Sequence, residues 1–169
     1  KLNFLKKYYD FILIDSSPAL NDETLAAMYA SDELLVVTTP DYPTMAATIK
    51  AVKMAKERGT PICGLIVNKV YGKGFEIPIK EIENSIDVPV MAVIPNDINV
   101  LKSVSEFTPS TSFRPNSYGS IEYKKLAAAL VGEKYKPSVL SDFADLFRKI
   151  FPERQDVNRE LYYKRVFSS

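Results

Sequence analysis

Histidine and tryptophan are absent from this chain of 169 residues, and it has a single cysteine, Cys63. Without histidine there is no Ser-His or Cys-His nucleophile pair and no imidazole metal ligand. One cysteine cannot form an internal disulfide, and no Cys/His cluster remains to hold a metal. Excess charge is lacking too: 22 Lys and Arg stand against 21 Asp and Glu, a formal net charge of +1. No global basic field argues for nucleic acid as a partner. The chain lacks a run of about 18 apolar residues that could cross a bilayer as a helix. Its N-terminus carries no signal-peptide pattern, so a reducing cytoplasm is the expected location.

What is present is enough apolar material for a packed core, 46% of residues, in one domain or most of one. Four short apolar runs stand out: Phe11–Ile14, Leu34–Thr38, Cys63–Val67 and Val90–Ile94. Helical patterns at Asp22–Ala30, Tyr42–Arg58 and Ile77–Ser85 lie between them. Strands alternating with helices predict a parallel sheet with helices on both faces, an α/β fold. Asn21 or Asp22 can cap the first helix, and Gly59 with Pro61 ends the second. Leu101–Val104 reads as one or two turns, Thr108–Ser120 as a surface loop, and Tyr118–Val131 as a further helix. Lys1–Asp10 leads straight into the first run with no helix before it, which reads as the middle of a larger domain.

Each predicted strand ends in polar residues and a turn signal. The first ends in Asp15-Ser16-Ser17-Pro18, the second in Thr38-Thr39-Pro40-Asp41. The third ends in Asn68-Lys69 and the fourth in Pro95-Asn96-Asp97. Open α/β sheets bind ligands outside the carboxyl ends of their strands, so four such endings on one edge would line a crevice. A carboxylate at Asp15 suits magnesium, which keeps several waters and takes few protein carboxylates. Its plainer reading is a helix cap. The amide of Asn68 offers the donor and the acceptor that an adenine edge requires. Its plainer reading is a turn former.

These motifs, with Leu65-Ile66-Val67-Asn68-Lys69 and Val93-Ile94-Pro95-Asn96-Asp97 in their order and spacing, resemble the MinD/ParA family of deviant Walker-A P-loop ATPases. The resemblance covers Tyr9–Val131 and looks closest to the archaeal MinD-like branch. It implies ATP or ADP with Mg2+ as cofactors. Asp15 matches the Walker-B aspartate, the catalytic and metal-organising group that acts on Mg2+ through water. Ser16, Ser17, Pro18 and Ala19 match the switch that senses the γ-phosphate; Leu20 stands where MinD proteins often have Gly. Asn68 and Lys69 match the strand end that reads adenine, and Pro95, Asn96 and Asp97 match the loop that closes over the base. Asn68-Lys69-Val70-Tyr71 lacks the Asp that would hold guanine, which implies ATP rather than GTP. The family's Gly-rich phosphate loop should lie well upstream of Asp15. Gly72-Lys73-Gly74 carries no Ser or Thr hydroxyl for magnesium and reads as a turn. The chain is therefore expected to be the C-terminal part of such an ATPase, inactive alone.

Residues 1–132 are expected to form that ATPase portion, and 133–169 a linker and helical tail. Val139, Leu140, Phe143, Leu146, Phe147, Ile150 and Phe151 fall on one helical stripe. Three destinations remain open for it: its own domain, a protein partner, or the inner face of the cell membrane through Phe143, Leu146, Phe147, Ile150 and Phe151. Arg159–Phe167 reads as a second short helix. The first functional reading is a positioning ATPase that forms a homodimer in its ATP state and answers to a regulatory protein of unidentified kind. The second is a non-catalytic interaction module using the Phe-rich tail and the Thr108–Ser120 loop. An unrelated doubly wound fragment lacks support, because no Gly-x-Gly-x-x-Gly occurs.

Overall fold

A computed structural model describes residues 2–17, 21–136 and 153–167. Three parallel strands form one sheet in the order β1 (Leu34–Thr38), β2 (Ile62–Val70), β3 (Val90–Pro95). The helices are α1 (Leu2–Leu5), α2 (Asp22–Ala30), α3 (Tyr42–Glu57), α4 (Ile79–Ile86), α5 (Ile98–Ser105), α6 (Ser110–Phe113), α7 (Tyr118–Leu130) and α8 (Arg154–Phe167).

Local signals account for the helix starts. Asn21, Asp41, Asp97 and Ser117 each accept a backbone N–H from the first turn of α2, α3, α5 and α7. Gly59, at φ 72°, follows α3 in the left-handed conformation that glycine adopts without strain.

The core divides into two clusters. Val52 of α3 and Ile82 and Ile86 of α4 pack on Leu65, Val67 and Val90. Leu126 of α7 and Tyr162 of α8 pack on Cys63, Met91, Ala92 and Ile94. Each large side chain buried this way contributes about 1.5–3 kcal/mol. Gly64 has a packing reason to be glycine: a Cβ there would stand 2.1 Å from Met91 Cγ.

The α/β class with a parallel sheet holds, and so do β1 and α2 with the predicted bounds. Four differences stand out. Phe11–Ile14 is not a strand: residues 11–17 carry no ladder, and Leu13 is 90% exposed. An apolar run becomes a strand only when another strand satisfies its backbone groups, and none lies beside it among the described residues. A short helix, α1, precedes that segment after all. The 108–120 loop contains α6. The second tail helix is longer than Arg159–Phe167, beginning at Arg154, and it docks on β3 and α7. The amphipathic stripe at 139–151, with Phe143, Leu146, Phe147, Ile150 and Phe151, lies outside the described residues.

Candidate functional site

In a parallel sheet every strand ends on the same rim, so Thr39–Asp41, Asn68–Lys69 and Pro95–Asp97 share one edge of the molecule. Two backbone bonds tie these ends together. The Asn96 N–H donates to Val70 O at 2.8 Å, and the Ile77 N–H donates to Pro40 O at 3.1 Å. Val70 is also in register with Pro95. Asn68, Lys69, Pro95, Asn96 and Asp97 are thus brought together by the β2–β3 pairing.

The polar groups on this rim already have local work. Asn68 is half-buried, and its Oδ1 accepts the Lys69 N–H at 2.9 Å. Lys69 takes a left-handed φ of 56°, a conformation that turns the chain sharply at the strand end. Asp97 Oδ1 accepts the N–H of Asn99 at 2.8 Å and its side-chain amide at 2.7 Å. Asp41 accepts the Thr39 hydroxyl and the Thr44 N–H, and these bonds, chiefly the one from Thr39, hold its carboxyl below the usual carboxylate range. The Gly72-Lys73-Gly74 loop wraps a carboxylate of its own chain. Glu76 accepts the N–H groups of Tyr71 at 2.8 Å and Lys73 at 3.0 Å. Burial pushes its carboxyl up, and those amides outweigh it and hold the group low.

Asp15, Ser16 and Ser17 stand apart on the segment beside the outer edge of β1. Asp15 and Ser16 are exposed, and Asp15 has no hydrogen bond or ion pair among the described residues. Ser17 is half-buried, and its carbonyl accepts the Thr24 hydroxyl at 3.1 Å. Pro18, Ala19 and Leu20 lie outside the described residues. Two anchors give the segment its direction. Lys6, just before it, pairs with Asp32 at 2.9 Å, just before β1. Thr24 at the start of α2 holds its far end. Since α2 leads back from Ser17 toward Asp32, the segment runs in the same sense as β1, with Asp15 toward the rim end.

Between that segment and β1 lies a groove of about 1060 Å3. Sequence reasoning missed it, as it missed the buried face of α8. Gln155, Arg159 and Tyr162 are buried there at a three-to-four spacing. Counting polar residues in the periodicity would have found that face; nothing local announces the groove. The rim presents amide, hydroxyl and carboxylate groups, which suit binding of a polar ligand.

Against known proteins, the ParA family described as the NUBPL iron-transfer P-loop NTPase matches residues 4–131. An uncharacterised ATP-binding protein of Methanocaldococcus jannaschii is 34% identical over 135 residues, covering 78% of this chain and 51% of that protein. The septum site-determining protein MinD of Pyrococcus horikoshii, solved in complex with Mg-ADP, superposes with a TM-score of 0.71 at 32% identity. That match covers 76% of this chain and 53% of that one. A ParA family ATPase from Chlorobium tepidum superposes with a TM-score of 0.64 at 25% identity, over 76% of this chain and 53% of its own. The chain spans about half the length of the relatives it matches.

Proposed function

The chain belongs to the ParA/MinD family of P-loop NTPases, and from that premise we propose that its rim is the base-recognising side of an adenine-nucleotide site. Asn68 faces the adenine edge, and the backbone of Pro95–Asp97, with Lys69, closes the pocket around the base. Asp15 orients magnesium through water: its carboxylate is exposed and makes no hydrogen bond among the described residues, so it can accept from metal-bound water. Ser16, Ser17 and Pro18 follow the γ-phosphate. When bound, the nucleotide and its metal supply the electrophilic phosphorus and the charge neutralisation for hydrolysis. The groups that cradle the phosphates belong to the half of the family's length that this chain does not span. In the full assembly, ATP joins two subunits and its hydrolysis releases them, a switch suited to positioning cellular machinery.

Residues 1–132 carry this nucleotide portion and 133–169 the tail. The observation that carries the reading is the β2–β3 pairing, which sets Asn68 beside Pro95–Asp97 through the 2.8 Å bond from Asn96 to Val70. The match to a solved Mg-ADP complex in a MinD protein supports it. Iron transfer, the activity in the matched family's description, is not favoured within these residues. Cys63 is 4% exposed, and burial, aided by the charge of Glu33, pushes its thiol up to about 12.

Equilibrium binding of fluorescent ADP and GDP to the chain, with magnesium, tests the proposal. ADP should bind about tenfold more tightly, a difference of about 1.4 kcal/mol. Asn68→Leu should erase the preference. Equal affinity for the two bases in the unaltered chain would overturn the assignment.

A further inference from the structure

The tail helix α8 is built inside out. Its buried face holds Gln155, Arg159 and Tyr162, while Val157 and Leu161, one turn apart, are 44% and 59% exposed. A helix that docks for its apolar area does the reverse. The polar face turns inward because of what it meets there. β3 has β2 on one side and no strand on the other among the described residues. The Asn158 amide donates to Val90 O and the Arg159 guanidinium to Met91 O, each at 2.8 Å. The Val90 N–H goes to Glu83 Oε1, which also accepts from Asn158. Side chains of α8 and α4 thus hold backbone groups of β3 that another strand could take. Covering an edge with a helix is one way a sheet is kept from pairing with a second chain.

The strand under this cover is suited to pairing. Val90-Met91-Ala92-Val93-Ile94 carries no charge, no glycine and no proline, a composition that joins another strand readily when its edge is open. The cover itself is held mainly by polar bonds. Arg159 pairs with Glu122 and Asp156, and Arg154 with Glu83. Buried ion pairs lose to desolvation much of what they gain by attraction. Tyr162 is the residue of α8 that joins a buried apolar cluster. An element held in this way can open at a lower free energy than the domain unfolds. One partner always matches an edge strand in length and character: the same strand of a second copy. A two-fold axis lays the two strands antiparallel and satisfies both edges at once.

We propose that α8 is a detachable cover, and that when it lifts, β3 pairs with the β3 of a second copy of this chain. Cover and partner exclude each other, because both claim the carbonyl of Val90. The tail helix therefore sets the state of association at this edge. The proposal is independent of the adenine site: it rests on β3 and on α8, which lies beyond the family-matched residues 4–131.

The test uses the full chain without nucleotide. Asn158→Asp replaces the amide donor by a carboxylate that faces two acceptors, Val90 O and Glu83, and so lifts α8. Asn158→Ala removes the donor alone. In sedimentation velocity the Asn158→Asp chain should dimerise at least about tenfold more tightly than the unaltered one, with Asn158→Ala in between. Hydrogen exchange locates the contact. Residues 154–167 should exchange faster in both variants, and residues 88–94 should gain protection as protein concentration rises. Far-ultraviolet dichroism reports whether the domain stays folded; if Asn158→Asp loses it, Asn158→Ala carries the test alone. A variant whose α8 exchanges fast and which stays monomeric would overturn the proposal. So would α8 protection in both variants equal to that of the unaltered chain. Concentration-dependent protection at residues 34–38 instead of 88–94 would also end it, since the contact would then lie on β1.

Discussion

Along β3 the outer side is met by side chains of α8, whereas along β1 it is met by a groove and an irregular segment. The Asn158 amide donates to Val90 O at 2.8 Å and to Glu83 Oε1 at 2.7 Å, and Glu83 Oε1 also accepts the Val90 N–H at 2.9 Å. Arg159 donates to Met91 O at 2.8 Å and pairs with Glu122 at 3.0 Å. The second oxygens of these two acids face Arg154 and Lys125. Side chains thus do for β3 what a neighbouring strand does elsewhere, satisfying buried polar groups that would otherwise cost free energy. The β1 side is lined mostly by apolar residues, with Lys6, Thr24, Asp32 and Glu33 among them. One side is closed by side chains of the described residues; the other is open to a groove.

The sharpest way to break this contrast is to remove the charge that closes the β3 side. Arg159→Ala leaves Glu122, fully buried, with Lys125 at 3.5 Å in place of its closer partner. It should cost about 3 kcal/mol in chemical denaturation, because a buried acid loses its closer cation and Met91 O loses its donor. Glu122→Gln in the same chain should recover part of that loss.

A milder disturbance is acid. Burial raises the Asp156 carboxyl, but Arg159 and Lys125 outweigh it and hold the group below its ordinary value of 3.8. A depressed carboxylate contributes stability that is full above its unfolded pKa and is lost as pH falls through the folded one. The docking of α8 should therefore weaken as pH drops below about 3.8. Near-ultraviolet dichroism of Tyr162 and Tyr163 in α8 reads it, and should change before far-ultraviolet helicity collapses.

The smallest effect belongs to the other side. Val37→Lys in the chain alone should shift stability by no more than about 0.5 kcal/mol, since the side chain is already largely exposed. A loss as large as that of Arg159→Ala would show the two sides to be equally closed and end the comparison.

Much of this was legible in the residues. Leu34–Thr38 and Asp22–Ala30 carry their own boundaries, an apolar run before Thr39-Pro40 and a cap at Asn21, and the structure keeps both. The rim motifs at Asn68 and Pro95–Asp97 could be placed because a parallel sheet puts all its strand ends on one side. Phe11–Ile14 reads as a strand just as clearly and is not one, since composition cannot say whether a partner lies alongside. Arg159–Phe167 reads as a short helix with no sign of which face is buried; Arg159 is buried because Glu122, Asp156 and the Met91 carbonyl receive it.

The sequence by itself determined the order of β1, β2 and β3 with α2, α3 and α4 between and before them, the cap at Asn21, the turn at Gly59, and the family. These follow from periodicity, residue conformational preference and short motifs, all properties of neighbours along the chain. Tertiary structure alone decided which apolar run became a strand, which charged helix was buried, and where a groove was left. Those outcomes depend on hydrogen-bond partners and counter-charges that are remote in sequence and meet only when the chain is folded.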